Sequence, residues 1–140
     1  MKTKSTFKMS TTSQAKSKTI HWFNREIFKW FNKNGRYFPW RNKSVSKYQV
    51  IIAEVLLQRT KAETVANFFP EFIKRYPSWR TLSTAKASEL KKILKPIGLW
   101  RRRSATIKKL SKEMARRNGR FPRTREEIEK LPGVDRKSVV

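Results

Sequence analysis

The chain of 140 residues carries 35 Lys plus Arg against 10 Asp plus Glu, a formal net charge of +25, with no Cys and one His. The absence of thiols excludes disulfides, thiolate zinc sites and an iron–sulfur cluster held by these residues, and His21 alone cannot build a metal site. So large a positive charge repels itself in the compact state and calls for a polyanion, nucleic acid ahead of an anionic membrane. The longest apolar run, Val50 to Leu57, is broken by Glu54 and too short to span a bilayer.

Residues 1–18 are rich in Lys, Ser and Thr with little apolar content, which predicts a disordered basic arm ahead of a helical domain over 19–140. The arm lacks the apolar centre of a signal peptide; a transit peptide shares its acid-free composition, and the plain arm is the preferred reading. From Thr19 onward Ile20, Phe23, Ile27, Trp30 and Phe31 recur at helical spacing, and Asn34-Gly35 ends that helix. Pro39 biases Phe38 away from helix, so Phe38-Pro39-Trp40-Arg41 reads as extended. A second helix is expected from about Lys47 to Arg59. Thr60-Lys61-Ala62-Glu63 has the form of a capping box for a third, with Ala62, Val65, Phe69, Phe72, Ile73 and Tyr76 as its buried stripe. Pro70 should kink or break it.

Pro77-Ser78 opens a short helix through Leu82, and Leu90, Ile93 and Leu94 mark another that ends by Gly98. A long basic helix from about Leu99 to Arg117 turns Ile107, Leu110 and Met114 inward and stops at Asn118-Gly119. Thr124 to Glu127 is a second capping box, opening a short helix that Pro132-Gly133 terminates, and Arg136-Lys137-Ser138 begins a further one. No alternating β-branched run appears. The pattern is all-α, seven or so short helices, without an internal repeat.

Glu54 is the sharpest single residue. It sits in the apolar centre of the second helix, where a carboxylate is costly unless it is paired, neutral or turned to a cleft. Gln58, one turn on, shares its face. At the other end of the chain a short helix, a Gly turn and a new helix N-terminus present backbone N–H groups on one side, an arrangement suited to phosphate.

Leu131-Pro132-Gly133-Val134 resembles the helix-hairpin-helix of the endonuclease III superfamily of DNA glycosylases, although Asp135 stands where that hairpin has a second Gly. Arg36-Tyr37-Phe38-Pro39-Trp40-Arg41, Ala53-Glu54-Val55-Leu56-Leu57-Gln58-Arg59-Thr60 and Ile97-Gly98-Leu99 precede it in the order seen in the branch of adenine glycosylases and T/G mismatch glycosylases. The resemblance implies the superfamily's six-helix domain, incomplete at the C-terminus, and a base-excision-repair enzyme that flips a mispaired or damaged base out of duplex DNA. It implies Glu54 as the general acid at the leaving base, and Arg36, Phe38, Trp40 and Arg41 as the base pocket. Either Gln58 or Arg59 would fill the space left in the stack, with Thr60, Gly133, Val134 and Arg136 at the DNA backbone.

Lys137 stands where bifunctional members have the lyase amine and the adenine branch has Tyr; a phosphate contact is the equal alternative. The superfamily's essential Asp would lie beyond Val140, and a 4Fe-4S cluster could belong only to a longer C-terminal part. The expectation is either the N-terminal portion of a longer glycosylase or an inactive truncated copy. In both cases it is a monomer on double-stranded DNA, intracellular, at the nucleoid or in the nucleus, with no membrane partner. A DNA-gripping protein without catalysis is the competing class, supported by the Arg101-Arg102-Arg103 cluster, and RNA binding is the third.

Overall fold

The computed structural model describes residues 11–134 and divides the chain into two units, Met1–Tyr37 and Phe38–Val140. The first unit holds α1, Thr11–Asn34. Its apolar stripe is open to solvent: Ile20, Phe23, Ile27, Trp30 and Phe31 are each between 46% and 64% exposed. Thr11–Lys18 is therefore helical rather than disordered, and the division falls after Tyr37 rather than after residue 18. The segment contains no Gly or Pro, and its Gln, Ala and Lys residues are good helix formers.

The second unit begins with a 3₁₀ turn, Pro39–Arg41, followed by α2 (Lys47–Leu57), α3 (Ala62–Arg75), α4 (Trp79–Thr84) and α5 (Ala87–Leu94). A second 3₁₀ turn at Lys95–Ile97 leads to α6 (Trp100–Arg116) and then α7 (Arg125–Glu129). No strand occurs among the described residues, and none of their helices is long and apolar enough to cross a membrane. The all-α expectation holds.

α6 packs across α4 and α5, and α2 lies along α3. Ile107, Leu110 and Met114 of α6 are completely buried, as are Ile52 and Leu56 of α2, Val65 of α3, Leu82 of α4 and Leu90 and Leu94 of α5. Each such side chain contributes on the order of 1.5–3 kcal/mol by leaving water, which makes this shared centre the anchor for everything that surrounds it. Capping sharpens the helix starts: Gln49 N–H donates to Ser46 Oγ at 3.3 Å and Ser46 N–H to Gln49 Oε1 at 3.2 Å, a complete capping box at α2.

Three local expectations change. α3 runs through Pro70 without ending; Pro70 is exposed, so water is at hand for the carbonyl its missing N–H leaves free. α2 stops at Leu57 instead of Arg59, because Arg59 takes a left-handed φ of 57°. Thr60 does not cap α3. Lys61 is the N-cap residue, with no side-chain bond, and the Thr60 hydroxyl is engaged elsewhere.

Candidate active site

Glu54 and Gln58 end up on one wall of a cleft of about 850 Å³, opposite the first turns of α6 and the turn that follows α7. The cause is the α2 pattern: Ile52, Ala53, Val55 and Leu56 are buried, which leaves Glu54 to face outward one turn before Gln58. Glu54 is exposed and forms no ion pair with another described residue, so its cost in the apolar helix is avoided by the opening rather than by a partner. Among the described residues nothing engages the carboxylate, and it faces the cleft.

The hairpin closes the far side. Leu131 is buried and anchors it, Val134 N–H donates to Leu131 O at 3.3 Å, and Gly133 has φ 76°. A Cβ at Gly133 would collide with Thr106 Cγ2 of α6, so both conformation and space demand glycine. Gln58 Nε2 donates to Gly133 O at 2.7 Å, tying the end of α2 to the hairpin across 75 positions of sequence.

Arg59 and Leu99 stand exposed at the mouth, both in left-handed backbone, with φ of 57° and 50°. Arg102 is exposed on the α6 wall. Arg103 is not: only 6% exposed, it donates through Nη1 to Ile97 O at 3.2 Å and Gly98 O at 2.9 Å, and through Nη2 to Gln58 O at 2.8 Å and Thr60 Oγ1 at 2.6 Å. Burial pushes its pKa below the ordinary arginine value. Arg101-Arg102-Arg103 is thus no single phosphate-gripping cluster: Arg101 lies over the Trp100 ring at 4.8 Å, Arg102 faces the cleft and Arg103 is internal.

The aromatic segment forms a separate stack. Phe38 and Trp40 lie parallel at 5.0 Å and 4°, the Arg41 guanidinium is 5.2 Å over Phe38, and Trp40 meets Phe69 edge-on at 5.7 Å. Phe38 is buried, and these residues do not line the wall that carries Glu54. Arg36 falls in the first unit. Asp135, Arg136 and Lys137 lie outside the described residues. No group of three His, Cys, Asp or Glu side chains able to hold a metal occurs among the described residues. With no Cys in the sequence, the chain does not fit an iron–sulfur cluster.

A Glu, a hairpin, exposed guanidinium groups and two left-handed loops thus meet at one cleft. Residues 52–137 match the HhH-GPD superfamily base excision DNA repair protein family. The chain belongs to this family. Its sequence is 39% identical over 114 residues to the thymine/uracil-DNA glycosylase of Pyrobaculum aerophilum, covering 80% of this chain and 49% of that protein. It is 31% identical over 122 residues to the adenine DNA glycosylase of Buchnera aphidicola, covering 84% and 34%. Among solved structures, a thermostable thymine-DNA glycosylase superposes with a TM-score of 0.75 at 32% identity, covering 89% of this chain and 58% of that one. An endonuclease III–DNA complex gives 0.65 at 27% identity, with 94% and 57% covered. The HhH-GPD fold is therefore established, and the chain spans about half the length of the thymine-DNA glycosylases it matches and about a third of that adenine DNA glycosylase.

Proposed function

We propose that this HhH-GPD chain is the Glu54-bearing part of a DNA glycosylase that removes a mispaired base, with thymine or uracil opposite guanine as the first substrate class. The cleft carries the reading: Glu54 with Arg59, Arg102 and the hairpin Gly133 converge there from three separate stretches of sequence. The identity to thymine/uracil-DNA glycosylases favours the pyrimidine substrates. Adenine opposite guanine is the second reading, favoured by the Pro39-Trp40-Arg41 segment together with Glu54.

In this reading phosphates lie along Arg102 and the hairpin, and the exposed arginine side chains supply a salt-dependent grip. Gln58 is held by Gly133 O, which leaves Arg59 as the residue free to enter the stack where the base has left. Glu54 is the general acid that passes a proton to the leaving base as the N-glycosidic bond breaks, while water adds to the sugar C1′. Lys137 is the amine that would attack the sugar C1′ of the abasic product, losing water to form an imine. The protein acts as a monomer on DNA.

The test is release of free base from duplexes carrying T·G, U·G or A·G. The chain is assayed alone and joined to the C-terminal half of the thymine/uracil-DNA glycosylase it matches. Release from one of these duplexes is the expected result. Tight binding without release from any of the three, in a folded fusion, would leave a protein that grips DNA without catalysis.

A further inference from the structure

Arg103 is a charge placed where the helix pattern calls for an apolar residue. It shares the inward face of α6 with Ile107, Leu110 and Met114, at successive helical spacings, and all three are fully buried. Among the described residues its four acceptors are neutral: three backbone carbonyls and one hydroxyl. Burying a cation without a carboxylate partner is costly, and a well-packed apolar side chain would serve stability better. The return on that cost has to lie in what the guanidinium holds.

It holds two loops. Gln58 and Thr60 flank Arg59; Ile97 and Gly98 lead directly into Leu99. Among the described residues the non-glycine positions with positive φ are Arg59, Leu99 and Asn118. Asn118 follows the end of α6, a place where asparagine takes this conformation readily. Arg59 and Leu99 have no such excuse, since a left-handed residue with a Cβ costs on the order of 1 kcal/mol or more and persists only where its surroundings enforce it. Both are exposed at the mouth of the cleft.

We infer that Arg103 is a positioning residue whose single guanidinium clamps the Gln58–Thr60 and Ile97–Leu99 segments in left-handed backbone, so that Arg59 and Leu99 are presented together to a distorted duplex. The planar fork reaches acceptors on both loops at once, which an ammonium cannot reproduce. The engagement of the Thr60 hydroxyl by the clamp also explains why Thr60 does not cap α3. The purpose of the clamp rests on the DNA reading above; the clamp itself does not.

The experiment uses the full chain and Arg103→Lys, with Thr60→Val as a milder variant that leaves Arg103 in place. Amide hydrogen exchange is measured first. With one or two charge-assisted bonds lost, exchange at residues 59–60 and 99–100 should rise together by about tenfold in Arg103→Lys, and by less in Thr60→Val, while α4 and α5 stay protected. Affinity is then measured for an intact duplex and for the same duplex with a tetrahydrofuran abasic site. The preference for the abasic duplex should fall by about tenfold in Arg103→Lys, with intact-duplex affinity held within about twofold because the charge is kept. Arg59→Ala combined with Leu99→Ala should lose the same preference, and adding Arg103→Lys should lose no more.

Exchange that rises throughout α4, α5 and α6, or not at all in the loops, would overturn the clamp. So would an abasic preference that survives in Arg103→Lys with both loops loosened. A wild-type chain with no abasic preference would sink the DNA reading instead, and the exchange measurement would still decide the clamp.

Discussion

A groove and the Glu54 cleft, both in the second unit, are made differently. The groove between α3 and α5, of about 630 Å³, has an apolar floor that includes Phe68, Phe72, Ile93 and Ile97, with Glu71, Arg75 and Lys92 at its rim. Its walls are ordinary helices and a short 3₁₀ turn, and its charges balance, Glu63 and Glu71 against Arg75 and Lys92. The cleft that carries Glu54 is bounded by Arg59, Arg102 and the buried Arg103, by two left-handed non-glycine residues and by a glycine that no other residue can replace without displacing Thr106. The groove is what remains where helices of unequal length meet. The cleft carries strain, a buried cation and a hydrogen bond across 75 positions, costs that accord with the site proposed there.

The comparison breaks most easily at Phe72, which is 1% exposed beneath the groove. Phe72→Ala should cost about 3–5 kcal/mol of stability, read as a urea midpoint, because the ring's contacts with Phe68 and Tyr76 leave a cavity. The affinity of the remaining folded protein for DNA should stay near wild type. A large loss of affinity there would mean that the groove also binds.

The same charge change in the two depressions gives a smaller and sharper contrast. Arg102→Ala should weaken duplex binding and lower the slope of log affinity against log salt by about one. Lys92→Ala, in the groove, should leave that slope unchanged. Equal slopes for both variants would show that the phosphates do not choose the cleft.

The smallest effect is expected at the far end of α6. Glu113 is paired with Arg116 at 2.7 Å and Arg117 at 2.8 Å, and these guanidinium groups pull its pKa down to about 2. A depressed carboxylate contributes stability above the ordinary carboxylate range and loses it as the pH falls toward that value. The pair is solvent-accessible and screened, so the contribution is small. Glu113→Gln should flatten the urea midpoint between about pH 5 and pH 2 and leave DNA affinity at neutral pH untouched.

How much of this was legible in the sequence depended on whether a residue's partner was local. The α6 stripe, the Val65, Phe69, Phe72 and Tyr76 positions of the α3 stripe, the turn at Pro132-Gly133 and the shared face of Glu54 and Gln58 follow from periodicity and backbone chemistry alone, and the structure agrees, with Ala62 and Ile73 only half-buried. Thr60 was misread because a Thr three positions before a Glu has the local form of a cap, while its actual partner, Arg103, lies 43 positions away. Arg103 was misread for the opposite reason. A run of three arginines looks like a solvated patch, yet its third member falls on the Ile107–Leu110–Met114 face, a signal present in the spacing all along. The left-handed turns at Arg59 and Leu99 have no local signature, since neither residue favours them. For α1 the spacing announced an apolar face and could not say whether anything covers it.

Glu54 is the residue on which base release depends most directly. In the fusion with the C-terminal half of a matching glycosylase, single-turnover release of the mispaired base is compared between wild type and Glu54→Gln, with duplex affinity measured on the same samples. Loss of a general acid should slow release by about 10²–10⁴-fold while affinity stays within about twofold, because only the proton donor is removed. Release at the wild-type rate, or release and affinity falling together, would contradict the assignment of this cleft as the place where the base leaves.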